Sequence, residues 1–327
     1  MGMYPLQISG IMSTEKKNRI ILGLMTFGPD RNDGARITSL TEFKNILTAF
    51  RDRGYIELDT ARVYCGSQQE SFTASAGWKQ AGFTIATKLY PNQPGIHKAA
   101  SIKENIAKSL SELGTEKVDL CVQGGKFKRL GLSNYTAFEV AEICTLCKER
   151  GWVKPSVYQG MYNVITRAIE KELFVACRKY GLDIVVYNPL AGGFFTGNYK
   201  SPALPESGRF SNTNPSGSVY RARYFNDHYF NALKLIEPVA EKHNLTMVEI
   251  AFRWLLHHSV LNIKNGNDGI ILGVSSQKQL EENLDQLEKG PFPSEVVEVL
   301  NKAWEVVNPN TPNYWHLELK YTYDTTV

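Results

Sequence analysis

Three side chains in the first third of the chain could act together on a proton. Asp59 and Tyr64 stand at and just past the end of a run of β-formers, Tyr55, Ile56 and Leu58, that begins after Gly54. The next such run, 84–89 (TIATKL), delivers Lys88 near its own C-terminal end. If the two runs are parallel neighbours in a barrel, the three residues meet in one mouth. A Lys cation beside a phenol favours the phenolate and lowers the Tyr pKa from its usual value of roughly 10. A carboxylate keeps that Lys charged and oriented. The spacing therefore predicts that Tyr64 can give a proton to a carbonyl oxygen. By themselves, the same residues would serve as a strand-end cap, an amphipathic aromatic and a surface cation.

Elements that could position them alternate along the chain. Strands are predicted at 19–28, 55–61, 84–89, 118–122, 127–133, 157–163, 184–190 and 269–275. Helices are predicted at 41–53, 68–81, 101–113, 138–150, 168–180, 228–243, 246–258, 277–288 and 294–307, the third opened by a capping box of Ser101 and Glu104. A polar loop, rich in Gly, Pro, Ser and Asn, fills about 191–218. Alternation at this spacing means βα units and a parallel sheet. About eight strands in 327 residues predict a (β/α)8 TIM barrel spanning 1–327 as a single domain. Pro309 and Pro312 predict an extended tail over 309–327. No G-x-G-x-x-G follows the first strand, which argues against a Rossmann domain.

One unit breaks the pattern. Between the strands at 118–122 and 127–133 stand only Gln123, Gly124, Gly125 and Lys126. A parallel crossover takes a dozen or more residues, usually a helix. The barrel is therefore predicted to be incomplete around its fourth and fifth strands, with the fourth helix missing. The region should be irregular, strained or merged into one strand. The sheet face normally under that helix should be exposed and apolar, at a cost in stability.

Composition narrows the function. With 43% hydrophobic and 21% charged residues the chain can bury a sizeable core. A net charge of +4 is too mild for nucleic acid and suits an anionic cofactor. No apolar run approaches the ~20 residues of a membrane span. Five cysteines, mostly inside predicted elements, read as reduced thiols in a cytoplasmic protein. Cys144 and Cys147 form a C-x-x-C with no second pair, so no metal site is expected.

Six stretches, in order, resemble the aldo-keto reductases, and among them the aflatoxin-aldehyde reductase group. They are LDTARVY with Gly66 and Glu70, ATKLYP, GLSNY, VYQGMYN, YNPLAGGFFTG and GVSSQKQLEEN, spread from about residue 19 to 314. The resemblance implies a barrel that binds NADPH extended across its C-terminal face. It implies Tyr64 as general acid, tuned by Lys88 and Asp59. Ser133, Asn134 and Gln159 would hold the nicotinamide carboxamide, and Tyr187 would stack on the nicotinamide. Asn188, Pro189, Leu190, Gly192, Gly193, Gly197 and Asn198 would wrap the pyrophosphate, with Arg209 as a phosphate partner. Ser275, Gln279, Glu282 and Asn283 would form the pocket for the adenosine 2′-phosphate and adenine. Tyr220 and Arg223 would touch a small-molecule carbonyl substrate. The group is often dimeric, so the resemblance leaves a homodimer open.

The sequence departs from the family at the break already noted. The family carries a catalytic His just after a VDL-like start to its fourth strand. Here Val118-Asp119-Leu120 is followed by Cys121-Val122-Gln123-Gly124-Gly125, and none of the six histidines lies there. The expected function is NADPH-dependent reduction of aldehydes or ketones, in secondary metabolism or detoxification. The rival is a catalytically impaired NADPH-binding protein with a regulatory or vestigial role.

Overall fold

A computed structural model describes residues 17–91, 94–120 and 127–315. Nine short strands form one parallel sheet: β1 (Ile20–Gly23), β2 (Glu57–Asp59), β3 (Thr84–Ala86), β4 (Val118–Leu120), β5 (Phe127–Arg129), β6 (Gly131–Ser133), β7 (Val157–Met161), β8 (Asp183–Tyr187) and β9 (Gly269–Gly273). Their order is β5-β4-β3-β2-β1-β9-β8-β7-β6. The two edge strands are consecutive in the chain, separated by Leu130 alone. The stretch predicted as one strand at 127–133 thus pairs with β4 through its first half and with β7 through its second. Tilted, staggered strands change partners along their length in this way when a sheet curls towards closure.

The helices are α1 (Leu40–Asp52), α2 (Gln69–Ser75), α3 (Ala99–Glu112), α4 (Ala137–Glu149), α5 (Leu173–Tyr180), α6 (Gly217–Tyr224), α7 (Asp227–Lys242), α8 (Met247–His257), α9 (Gln277–Leu287) and α10 (Ser294–Val307). One or more follow every strand position except β4, after which the described residues resume directly at β5. The architecture is an incomplete (β/α)8 barrel, with no fourth helix of the ring among the described residues. No helix among the described residues is long and apolar enough to cross a membrane.

Alternation along the strands builds two apolar layers. Leu22, Ile184, Val186, Ile270 and Leu272 face the helices and join the main core. Ile21, Val157, Val185 and Ile271 face the other way and fill the lumen. The N-terminal end of the barrel is held by ion pairs: Arg19 grips Glu57 with both carboxylate oxygens, and Arg129 grips Asp183. The opposite end is left open for the site.

The structure corrects two expectations. Helix α3 starts at Ala99 with Lys98 as its cap residue, so Ser101 lies inside the first turn and makes no capping box. The box occurs instead at α4, where Thr136 and Glu139 cap each other's backbone. Nor is the sheet face beside the gap apolar. Asp119 stands one residue before Leu120, which is level with Ala86, so it shares the outward face with Ile85. Its carboxylate accepts from the Ile85 amide at 3.0 Å and from Lys128 at 2.6 Å. None of the exposed large apolar side chains among the described residues comes from β4 or β5. A charged pair facing water replaces the bare hydrophobic strip. The tail begins with a short 3-10 turn at Asn308–Asn310, and Tyr314 packs back on the body by donating to Glu172 and accepting from the Ala137 amide. Residues 121–126 and 316–327, on which parts of the expected break and of the expected tail fall, lie outside the described residues.

Candidate active site

β2 and β3 are parallel neighbours in register Asp59↔Ala86. Asp59 therefore ends its strand beside the stretch that carries Lys88. The Lys88 ammonium lies 2.7 Å from each Asp59 oxygen and 2.7 Å from the Thr60 carbonyl. It also stands 5.4 Å from the centre of the Tyr64 ring. A second anchor comes from Gln159 on β7, which donates to Asp59 Oδ1 at 2.9 Å. The three residues singled out by spacing are thus together in the mouth, as expected.

Their electrostatics differ from the expectation. The Tyr64 pKa is raised, not lowered. Burial of the phenol is the largest cause, and Asp59 adds to it; Lys88 opposes both and loses. For Lys88 burial alone would favour the neutral amine, but Asp59 and Tyr64 outweigh it and the pKa is raised. The resting pair is a protonated phenol beside a charged ammonium. Behind them Glu70 is fully buried and accepts from Thr87 at 2.6 Å, which fixes the strand end next to Lys88. Burial holds the Glu70 carboxyl pKa above its usual value.

The mouth opens into a cavity of about 830 Å³. Its wall includes Asp59, Tyr64 and Lys88 together with Ser133, Asn134, Gln159 and Tyr187 from the ends of β6, β7 and β8. Tyr187 donates to Asn134 Oδ1 at 2.8 Å, tying two of these ends together. Asn134 and Asn188 both hold left-handed backbone, at φ 62° and 58°. Such strain in non-glycine residues clusters at functional sites.

Asn188, Pro189, Leu190, Gly192, Gly193, Asn198 and Arg209 line the next part of the wall. Gly192 and Gly193 turn through φ 70° and 101°, conformations that suit glycine; Gly192 lies under the Tyr220 ring, and Gly193 has open space beside it. Tyr220 donates to Asn188 at 3.3 Å and accepts from Arg209 at 2.9 Å, and Arg223 stacks near its ring. Ser275 and Gln279 line the far end, where Gln279 Oε1 accepts from both the Ser275 amide and its hydroxyl. Three expected residues do not line the cavity. Gly197 ends the 3-10 turn, Glu282 points to solvent beside Lys278, and Asn283 is buried on the inner side of α9.

The donor set fits an extended anionic cofactor. The buried amide nitrogen of Asn188, on the cavity wall, has no partner among the described residues. Arg209 and Arg223 face the cavity, and among the described residues neither is paired with a carboxylate. Sequence reasoning missed Arg36 and Tyr199, which line the same wall from loops. Arg36 sits in a turn-rich segment with no periodicity, so nothing in its local pattern marks it. His97 is the one histidine among the described residues of the wall, at an exposed position of the β3–α3 loop.

A model of the aldo/keto reductase family matches the chain over residues 19–123 and again over 120–305. Aldo-keto reductase pigE of Monascus ruber is 37% identical across 94% of the chain and 100% of its own length. Aflatoxin B1 aldehyde reductase member 2 of mouse is 39% identical across 90% of the chain and 87% of its own length. Human aldo-keto reductase family 7 member A3 is 39% identical across 90% of the chain and 96% of its own length.

Proposed function

The chain belongs to the aldo/keto reductase family, and we propose that it reduces aldehydes or ketones with NADPH, using Tyr64 as the general acid. The observation that carries this reading is the Asp59–Lys88–Tyr64 cluster at the mouth of a cavity lined by arginines that have no carboxylate partner among the described residues. When bound, NADPH supplies the hydride. Ser133, Asn134 and Gln159 hold the nicotinamide carboxamide, and Tyr187 offers its ring as the stacking surface. Tyr64 gives its phenolic proton to the carbonyl oxygen. Lys88, kept charged by Asp59, stabilises the phenolate left behind, which regains its proton from solvent through the open mouth. Tyr220 and Arg223 orient the substrate. Ser275 and Gln279 take the adenosine end and its 2′-phosphate.

Titration of the purified protein with NADPH, followed through nicotinamide fluorescence, tests the cofactor half. NADPH should bind more tightly than NADH, because the 2′-phosphate meets donors at the start of α9. Equal affinity for the two would remove Ser275 and its neighbours from the 2′-phosphate. Addition of an aromatic aldehyde should then consume the reduced cofactor.

A second reading, a cofactor-binding protein with impaired turnover, is supported by the region after β4. The two family matches meet at 120–123, where no histidine stands, and the fourth helix is missing. Tight NADPH binding without consumption of any aldehyde or ketone in a broad panel would favour it.

A further inference from the structure

We propose that Arg36 and Arg209 form a two-guanidinium clamp that closes on the cofactor's pyrophosphate from opposite banks of the cavity. The clamp rests on the reading of this cavity as an NADPH site and adds to it a residue from the β1–α1 loop.

The loop is built to hold Arg36 in place. The amides of Arg36 and Ile37 both donate to the Thr26 carbonyl, at 2.8 and 3.1 Å, and the Gly28 amide donates to the Ile37 carbonyl at 3.1 Å. Phe27 and Ile37 are fully buried beneath it. Thr26 donates its hydroxyl to the Val274 carbonyl at 2.8 Å, which ties the loop to the chain just before Ser275. Arg36 is thus carried on a fixed bank, next to the end of the cavity assigned to the adenosine.

Arg209 lines the same cavity from the segment after the glycine turn. Its Nη1 donates to the Tyr220 hydroxyl at 2.9 Å, and its guanidinium lies 4.9 Å from that ring's centre. A side chain at Gly192 would meet the Tyr220 ring at 2.4 Å and Arg209 Cδ at 3.3 Å, so the glycine turn lies against both this arginine and the ring it bonds. Tyr199 stands close to both cations, whose charges favour its ionised form against burial.

Among the described residues the two guanidiniums have no anionic partner. Elsewhere in the described chain buried Arg167 donates to Asn301 and to the Val164 and Leu300 carbonyls, and Arg19, Arg62, Arg129, Arg178 and Arg253 each pair with a carboxylate. Arg36 and Arg209 do not. The carboxylates on the cavity wall are engaged, Asp59 by Lys88 and Glu139 by Thr136. Burial and the neighbouring Arg209 charge both lower the Arg36 pKa, the mark of like charges held together in a half-dry site. A diphosphate diester carries two negative charges and in-plane acceptor oxygens on both sides. It matches two rigid forks better than a single carboxylate would.

Fluorescence titrations of wild type, R36M and R36K with NADPH and NADH test the clamp. R36M should bind both cofactors about tenfold or more weakly, the loss of one charge-assisted contact to phosphate, and by the same factor for each. R36K keeps a charge without the fork and should fall between R36M and wild type. Inorganic pyrophosphate should raise the melting temperature of wild type more than that of R36M. Unchanged affinity in R36M overturns the clamp. A loss confined to NADPH also overturns it and places Arg36 on the 2′-phosphate. Wild type that binds neither NADPH nor NADH brings down the cofactor reading itself and the clamp with it.

Discussion

Tyr64 keeps its proton because burial opposes ionisation more strongly than Lys88 favours it. That suits a donor, which must be protonated when the carbonyl arrives. Tyr64→Phe removes the donor and leaves the cofactor contacts, so turnover should fall by about 10²–10⁴ while NADPH affinity holds. Turnover within a few-fold of wild type would move the acid elsewhere. The sign of the pH dependence follows from the same shift. A phenol whose pKa lies above roughly 10 is fully protonated through neutral pH, so the reduction rate should be flat from about pH 6 to 9 as far as Tyr64 governs it. A fall in kcat with a midpoint near neutrality would assign the proton to a different group. The types and spacing of Asp59, Tyr64 and Lys88 were enough to bring them together in the sequence reading. The direction of the Tyr64 shift was not legible, because it depends on how many atoms from distant elements surround the phenol.

At the scale of elements, the turn from β6 into α4 carries Ser133 and Asn134 and ends on the Thr136–Glu139 capping box. The Thr136 hydroxyl accepts from the Glu139 amide at 3.2 Å, and Glu139 accepts from the Thr136 amide at 2.8 Å. Thr136→Ala should cost about 1 kcal/mol, read as a lower denaturant midpoint at unchanged slope. It should also weaken NADPH binding, since the adjoining Asn134 is held in left-handed backbone by this turn and by Tyr187. Loss of stability with full cofactor affinity would separate the cap from the site. Strongly periodic elements such as α1, α9 and α10 were read to within one residue. Helix α6 was not, because Gly217–Tyr224 is short and mostly polar. Tertiary contact fixes it instead: Tyr220 and Tyr224 pack on Phe210, and Tyr224 stacks on Phe194. The capping boxes went astray for a related reason. Ser101 with Glu104 has the right residue types, but α3 begins at Ala99 and leaves Ser101 already inside the helix.

For the whole molecule, the missing fourth helix was readable because parallel connection is a matter of chain length, which a sequence states outright. What covers the gap was not readable. β4 and β5 pair in parallel, Val118↔Phe127 and Leu120↔Arg129, and their outward position is the Asp119–Lys128 pair. The Lys128 side chain is 76% exposed, so the pair adds little stability, but it spares the sheet an apolar strip in water. This changes what restoring the segment should do. Inserting a His-bearing loop and helix between Leu120 and Gly125 supplies a donor to the carbonyl oxygen. Loss of one oxyanion donor in acyl transfer costs about 10²–10³ in rate, and a gain on the order of 10² in kcat is expected here. The melting temperature should change little, because the new helix would land partly on a charged pair whose desolvation offsets the apolar area it buries. Replacing Asp119 and Lys128 by Val and Leu in the same insertion should then raise it, at roughly 25 cal/mol per Å² of apolar area covered. Steady-state kinetics and thermal melts on the two insertions check both halves. An insertion that leaves kcat unchanged would mean that the gap does not limit turnover. A large stabilisation without the two replacements would mean that the uncovered face is apolar after all.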